Sequence, residues 1–390
     1  MDPQVIDAGG VRLRPHRADD VPAIVEQCID PESQRWTTVP SPYGRADAEE
    51  FVDLVARGWE EERSLAFALA DPATDAFLGS IDLRLDGAGA ADIGYGLHPG
   101  ARGRGLTTVA LRAVADWAFA QQHLALQVLQ WSAIVGNWAS RRAAWRVGFR
   151  VEGTLRGQLN QRGTRRDTWC ATLLRDDPRQ PRTRWLRPAR LTGAGVVLRP
   201  FRAGDAEGCV EACTDPRTRH WLPQLPDPYT AEAAAEYIAT REEEHAADRG
   251  VFWCAADPVD DRMLGSFGLH LDRDGGPDTA ELGYLLHPAA RGRGIATTAA
   301  RLVRRHAFAP ADAGGLGLRR LVVCAAQGNE ASVRVAQRAG FVRTGVDRAA
   351  APLGDGTVDD MVRLDQLAST TADGGREDRQ SAEARERRNE

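Results

Sequence analysis

Lysine is absent from this chain. All 50 basic residues are arginine, so no internal ε-amine is available for acetylation or Schiff-base chemistry. Cysteine is scarce: the 390 residues hold 6, at Cys28, Cys170, Cys209, Cys213, Cys254 and Cys324, with no Cys-x-x-Cys pair. Only Cys209 and Cys213 are close, spaced as neighbours on one helix face. That usage excludes a disulfide framework and a zinc site, and it fits reduced thiols in a cytoplasmic protein. No apolar run reaches the roughly 18 residues of a membrane span. The start, Met1-Asp2-Pro3-Gln4, lacks a basic region followed by an apolar stretch, so no secretory signal is expected. An excess of positive charge is missing too. The formal net charge of −5 excludes a globally basic nucleic-acid binder. What remains is an ordinary globular composition, 43% hydrophobic. At roughly 150 residues per domain, the length predicts two or three domains.

The chain repeats itself. Gly10-Val11-Arg12-Leu13-Arg14-Pro15 recurs as Gly195-Val196-Val197-Leu198-Arg199-Pro200, and Asp30-Pro31 with Trp36 recurs as Asp215-Pro216 with Trp221. Gly94-Tyr95-Gly96-Leu97-His98-Pro99 recurs as Gly283-Tyr284-Leu285-Leu286-His287-Pro288, and Gly148-Phe149 as Gly340-Phe341. The offset drifts from 185 to 192 residues, as loop insertions would cause. A period this long signals two copies of a whole domain. The expected division is a first domain over 1–178, a Pro- and Arg-rich linker over 179–194, a second domain over 195–368 and a disordered tail over 369–390.

Each copy mixes helices and strands. In copy one Val11–Arg14 reads as a strand, and Asp19 precedes a helix with Pro22 in its first turn. A second helix is expected near Ala46–Glu61. Leu65–Ala70, Phe77–Leu85 and Ala91–Leu97 read as strands. A helix from about Thr107 places Leu111, Val114, Ala115 and Ala118 on one face. Leu126–Ile134 reads as a strand, and Asn137–Val147 as a helix stopped by Gly148. Two strands follow, near Arg150–Arg156 and Arg165–Leu174. Copy two repeats the order.

In both copies a strand ends in His-Pro and leads into a Gly-rich basic loop that opens a helix. Copy one reads Arg102-Gly103-Arg104-Gly105-Leu106-Thr107, and copy two reads Arg291-Gly292-Arg293-Gly294-Ile295-Ala296. Glycine permits positive φ and close approach of a ligand. The freed amides and the helix N-terminus suit a pyrophosphate, and the arginines add charge-assisted donors. The loop follows the fourth strand and lacks both dinucleotide-fold and P-loop spacings.

At this point the sequence resembles the GNAT superfamily of N-acetyltransferases, whose acetyl-CoA signature is [Q/R]-x-x-G-x-[G/A]. Copy two matches through Arg291, Gly294 and Ala296. Copy one matches at Arg102 and Gly105 but carries Thr107 at the last, normally small, position. The Arg-Pro start, the Asn-x-x-Ser helix and the Gly-Phe ending are similar to the RimJ/RimL-type branch. The resemblance implies an α/β (mixed α+β) fold of two tandem domains, each a central, mostly antiparallel twisted sheet flanked by helices. It implies acetyl-CoA as cosubstrate, and no residue cluster offers metal-ligand spacing, so no metal is expected. The implied acceptor is a primary amine, either a protein N-terminus or a small molecule; charge and hydropathy lead to no expectation of a nucleic-acid or membrane partner.

Acetyl transfer needs a neutral amine, so a base must remove a proton. Asp92 and Glu281 are the candidates, sharing a strand face with Gly94 and Gly283; the bland alternative is a solvated carboxylate. By resemblance, a backbone N–H around Leu97 or Leu286 holds the thioester oxygen. The tyrosine that many members place four residues before the terminal glycine of the last helix is Ala144 and Ala336 here. Ser140 and Ser332 are the implied substitutes, or simply small residues packing a helix. Asn137 and Asn329 are helix caps that could also bond the pantetheine arm. Trp36 and Trp221 read as core aromatics or as walls of the acceptor cleft, and His98 and His287 as structural turns. The competing expectation is that one degenerate half binds acetyl-CoA without catalysis, as sensor or scaffold.

Overall fold

The computed structural model describes residues 1–271, 276 and 278–368; the expected disordered tail, 369–390, lies outside the described residues. The chain forms two compact units, Met1–Arg182 and Thr183–Glu390.

In the first unit, short strands β1 (Ile6–Asp7) and β2 (Arg12–Arg14) precede helices α1 (Val21–Ile29), α2 (Pro31–Trp36) and α3 (Arg45–Glu60). Then come β3 (Ser64–Ala70), β4 (Phe77–Leu85), β5 (Ala90–Leu97), α4 (Leu106–Ala120), β6 (Val128–Ile134), α5 (Trp138–Val147), β7 (Arg150–Gln161) and β8 (Thr164–Leu174). They build one sheet in the order β1-β2-β3-β4-β5-β6-β8-β7. Every neighbouring pair is antiparallel except β5–β6. Period-2 alternation sets the faces: Ile81 and Leu83 are buried on one side of β4, while Ser80, Asp82 and Arg84 lie on the other. The larger core joins the first side to α4 and α5, and a smaller one packs α1 and α3 on the second. In α4 the buried positions include Leu111, Val114, Ala115 and Ala118, as the helical spacing predicts.

The second unit repeats this plan with β9 (Leu191–Gly193), β10 (Val196–Arg199), α6 (Ala206–Thr214), α7 (Pro216–Trp221) and α8 (Ala231–Ala246). It continues through β11 (Gly250–Ala256), β12 (Met263–Leu271), β13 (Thr279–Leu286), α9 (Ile295–Phe308), β14 (Arg320–Ala326), α10 (Glu330–Arg338), β15 (Val342–Pro352) and β16 (Val358–Leu367). Read from its β9 edge, the strand order matches the first sheet. The stretch expected as a linker holds β9 and Leu186, a member of the second core. Helices α2 and α7 are additions to the sequence reading. Each starts on an aspartate, Asp30 or Asp215, that accepts the N–H of Ser33 or Thr218, with proline at the first helical position.

The repeated Arg-Pro has a structural explanation. Arg14 is 2% exposed and donates two 2.8 Å hydrogen bonds to Asp20, with a third donated to Asp75. Arg199 does the same with Asp205 and Asp261. A planar guanidinium satisfies both buried carboxylate oxygens at once, tying the end of β2 or β10 to the first helix.

Candidate active site

The Gly-rich loops take the conformation that their sequence demands. Gly103 and Gly105 have φ of 75° and 78°, and Gly292 and Gly294 have 76° and 77°. A Cβ added at any of them would meet nothing within 4 Å. The glycines are therefore required by the turn, and the space above them is open. The amides of Gly103, Arg104, Gly105, Leu106 and Thr107 donate to no acceptor among the described residues; the same holds for Gly292, Arg293, Gly294, Ile295 and Ala296. Five N–H groups without an acceptor at a helix N-terminus make a cradle suited to an anion. Ala296 is 6% exposed and leaves the second cradle uncrowded, whereas Thr107 is half-buried beside the first.

The side chain of Arg102 turns away from this cradle. It donates to Asp30 at 2.6 Å and to Ser33 Oγ at 2.9 Å, where α1 meets α2. Arg291 donates likewise to Asp215 at 2.6 Å and Thr218 Oγ1 at 2.8 Å. Arg102 and Arg291 thus serve as tethers, and the solvent-exposed Arg104 and Arg293 are the loop cations. His98 and His287 set the turn: Nδ1 accepts the N–H two residues on, while Nε2 faces Glu26 or Glu211.

Immediately upstream, the sheet splits. β5 pairs with β6 only from Ala90↔Val128 to Ile93↔Trp131, although both strands continue, and β6 stays on β8 to Ile134↔Thr168. In the second unit β13 pairs with β14 only from Thr279↔Arg320 to Glu281↔Val322. The N–H of His98 bonds Leu78 O and that of His287 bonds Leu264 O, both toward the antiparallel neighbour. Amide direction alternates along a strand. The N–H groups of Tyr95 and Leu97, and of Tyr284 and Leu286, therefore point into the open wedge.

The two sets of expected catalytic residues lie on opposite faces of the sheet. Ser140 and Ser332 sit on the α4/α5 and α9/α10 side. Each hydroxyl donates to a tyrosine hydroxyl: Ser140 to Tyr95 at 3.1 Å and Ser332 to Tyr284 at 3.2 Å. Each tyrosine in turn donates to the serine carbonyl, at 3.0 and 2.9 Å. Burial raises both tyrosines, which stay protonated at neutral pH. In the first unit Trp131 also donates to Ser140 Oγ, at 3.3 Å. Asn137 and Asn329 cap these helices, their side chains accepting the N–H of Ser140 and Ser332.

Asp92 and Glu281 lie on the other face. Asp92 is exposed and pairs across the ladder with Arg84, whose guanidinium bonds Asp82. Asp82 sits in a recess with 28% of its side chain exposed. Burial pushes its carboxyl above the usual range, opposed by Arg84 and reinforced by Asp92. Glu281 pairs with His270, and its charge reaches Cys324 and Arg363. The His270 ring lies beside Gly283, its Nε2 3.9 Å from where a Cβ would stand. Burial lowers His270, and Arg241 adds to this, so the imidazole is neutral at neutral pH. Sequence reasoning missed Asp82, His270, Tyr95 and Tyr284. The alternation Ser80-Asp82-Arg84 was visible, but its partner across the ladder was not. Trp36 and Trp221 pack on Gly136 and Gly328, 3.4 Å from a Cβ there, against the turn leading to the capping asparagines.

A wedge in a mixed sheet, an amide cradle beside it and a titratable group on each face suit an acyl-transfer site. Comparison with known proteins agrees. Residues 11–150 and 196–342 each match the acetyltransferase (GNAT) domain. The chain is similar to "Probable N-acetyltransferase YjcK" of Bacillus subtilis (strain 168), 31% identical over 161 residues, covering 40% of this chain and 86% of that protein. A solved structure of Mycobacterium smegmatis RimJ in complex with CoA-disulfide is 23% identical with a TM-score of 0.39, covering 44% of this chain and 86% of that one. A structure described as a probable acetyltransferase is 28% identical with a TM-score of 0.41, covering 46% and 97%. The chain belongs to the acetyltransferase (GNAT) family, with one domain in each half. It is an acyltransferase.

Proposed function

We propose that each half transfers an acetyl group from acetyl-CoA to a primary amine, by direct attack of the amine on the thioester. The observation that carries this reading is the opening of the sheet beside an amide cradle, present in both halves. The cradle residues fit a pyrophosphate: open backbone donors at a helix N-terminus, with Arg104 or Arg293 alongside. Acetyl-CoA would supply the activated carbonyl. The wedge-facing N–H of Leu97 or Leu286 would donate a hydrogen bond to its oxygen as negative charge develops there.

The chain's remaining task is to move two protons. An α-amine, with a pKa of about 8, is mostly protonated at pH 7. Glu281, with the neutral His270 beside it, would take that proton in the second half. Asp92, with the raised Asp82, would take it in the first. On the opposite face Ser140–Tyr95 or Ser332–Tyr284 would hold a proton for the departing thiolate. The acceptor is a protein N-terminus or a small-molecule amine, and we place the reaction in the cytoplasm.

The test follows thiol release with amine acceptors in a Gly105→Glu background, which blocks the first cradle. Glu281→Gln should lower turnover about 10²–10⁴-fold with acetyl-CoA affinity unchanged. Raising the pH should restore part of the rate. Full turnover of Glu281→Gln at neutral pH would remove this residue from the mechanism.

A further inference from the structure

The acceptor faces of the two halves carry different chemistry. In the first, three ladder rows run Ala68–Ser80–Gly96, Ala66–Asp82–Gly94 and Ser64–Arg84–Asp92. The matching rows of the second are Cys254–Ser266–Leu285, Phe252–Gly268–Gly283 and Gly250–His270–Glu281. A glycine has become Leu285, and the Asp82–Arg84 ion pair has become Gly268 and His270.

The second half holds a cavity of about 290 Å³ at the first of these rows, walled by Cys209, Cys213, Tyr237, Met263, Ser266 and Leu285. Tyr237 Oη and Ser266 Oγ bond each other at 3.0 Å, Thr240 Oγ1 donates to Tyr237 O, and the carboxylate of the lining, Glu236, belongs to an exposed residue. Burial raises both cysteine thiols, so they are neutral. The volume is at the small end of ligand pockets, which run from about 300 Å³. It suits one compact side group, not an extended chain. Leu285 stands two residues from Gly283 on the same strand face, about 7 Å at 3.4 Å per residue. An amine beside Gly283, with His270 and Glu281 next to it, would place a substituent of side-chain length in this cavity.

In the first half the corresponding place is lined by polar side chains. His16 and Gln27 stand where the repeat puts Phe201 and Ala212. Gln27 Nε2 lies 3.2 Å from where a Cβ on Gly96 would be. His16 Nε2 faces Ser80 Oγ at 2.9 Å, and burial lowers the ring to about 4, leaving it neutral. His16 Nδ1 and Gln27 Oε1 are buried without a hydrogen-bond partner among the described residues. Two orphaned atoms able to accept a hydrogen bond favour a ligand that brings donors.

We infer that the halves have divided the acceptors between them: the second takes an amine with a compact apolar substituent, and the first an amine whose substituent carries a hydroxyl or N–H donor. This rests on the acetyl-transfer reading. The division of labour is decided by Leu285, Phe252 and Ala212 against Gly96, Asp82, His16 and Gln27.

The experiment uses the full chain as Gly105→Glu, leaving the second half, and as Gly294→Glu, leaving the first. Leucinamide and serinamide are compared by thiol release. The Gly105→Glu protein should favour leucinamide in kcat/KM by at least about tenfold, and the Gly294→Glu protein should reverse the order. The same ranking in both would overturn the inference. Ala233→Phe, on the half-buried rim of the cavity, should raise KM for leucinamide several-fold and leave acetyl-CoA affinity unchanged; an unchanged KM also overturns it. If no amine is acetylated, the transfer reading falls, and calorimetric binding of leucinamide decides the pocket. Binding weakened by Ala233→Phe supports the pocket, and absence of binding refutes it.

Discussion

His245 should make the second half acid-labile, by an amount that its surroundings allow to be worked out. It closes α8, is 7% exposed, and its Nε2 accepts the backbone N–H of Phe252 at 3.1 Å. Its ring also stacks on that of Phe252, 5.9 Å away. Burial, then Arg241, lowers it to about 4, against a smaller opposing effect of Glu244. The folded chain thus keeps His245 neutral, while the unfolded chain takes up a proton near pH 6.5. Between these values the unfolded state binds more protons. Stability is full above about pH 6.5 and falls as the pH drops toward 4. At pH 5 the gap is about 1.5 pH units, or about 2 kcal/mol at 1.36 kcal/mol per unit. For a unit of this size that is about 4–8 °C in Tm. Gln at this position can still accept the Phe252 N–H but does not titrate. Calorimetric scans from pH 7.5 to 5 should show a transition whose acid loss is about 2 kcal/mol smaller in His245→Gln than in the parent. Parallel stability curves for the two proteins would refute the reasoning.

Other outcomes follow from features already described. Arg199→Met leaves Asp205 buried without its countercharge and should cost about 3–5 kcal/mol in urea unfolding. Arg199→Met combined with Asp205→Leu should recover part of that, and no recovery would show that the pair acts through something besides charge. Acetyl-CoA should bind more tightly to the second cradle, because Ala296 leaves room where Thr107 adds a branched side chain. Calorimetric titration should therefore show a greater loss of affinity from Gly294→Glu than from Gly105→Glu, and the opposite order would reverse the ranking.

Much of this architecture is legible in the sequence because it is local. The apolar spacing of Leu111, Val114, Ala115 and Ala118 gives α4 and its buried face. The alternation in Phe77–Leu85 gives β4, and the Gly-Arg-Gly loops announce a turn that only glycine adopts cheaply. Helix α2 stayed hidden because Pro-Glu-Ser-Gln-Arg-Trp has no apolar period, although its Asp-Pro start is a recognised signal. The strand β7 runs further than its apolar pattern, to Gln161, since an exposed hairpin is held by ladder bonds rather than by burial. Asp92 and Glu281 could be singled out from their position before a glycine. Asp82 and His270 could not, because their relevance depends on which strands become neighbours. The serine–tyrosine contacts likewise join residues 45 and 48 positions apart.

Arg102 and Arg291 have one more consequence. Each begins a Gly-rich loop, yet each spends its guanidinium on the junction of two helices that flank the opposite side of the sheet. The loop and that helix junction are thus joined by one short ion pair in each half. On the proposed function, binding at one and order at the other would share a single free-energy linkage, and such linkage is reciprocal. Order gained by the loop when its cradle fills would pass to α2 or α7, and from there to the tryptophan resting on the next turn. To the same degree, an acceptor that settled those helices would strengthen the hold of the cradle.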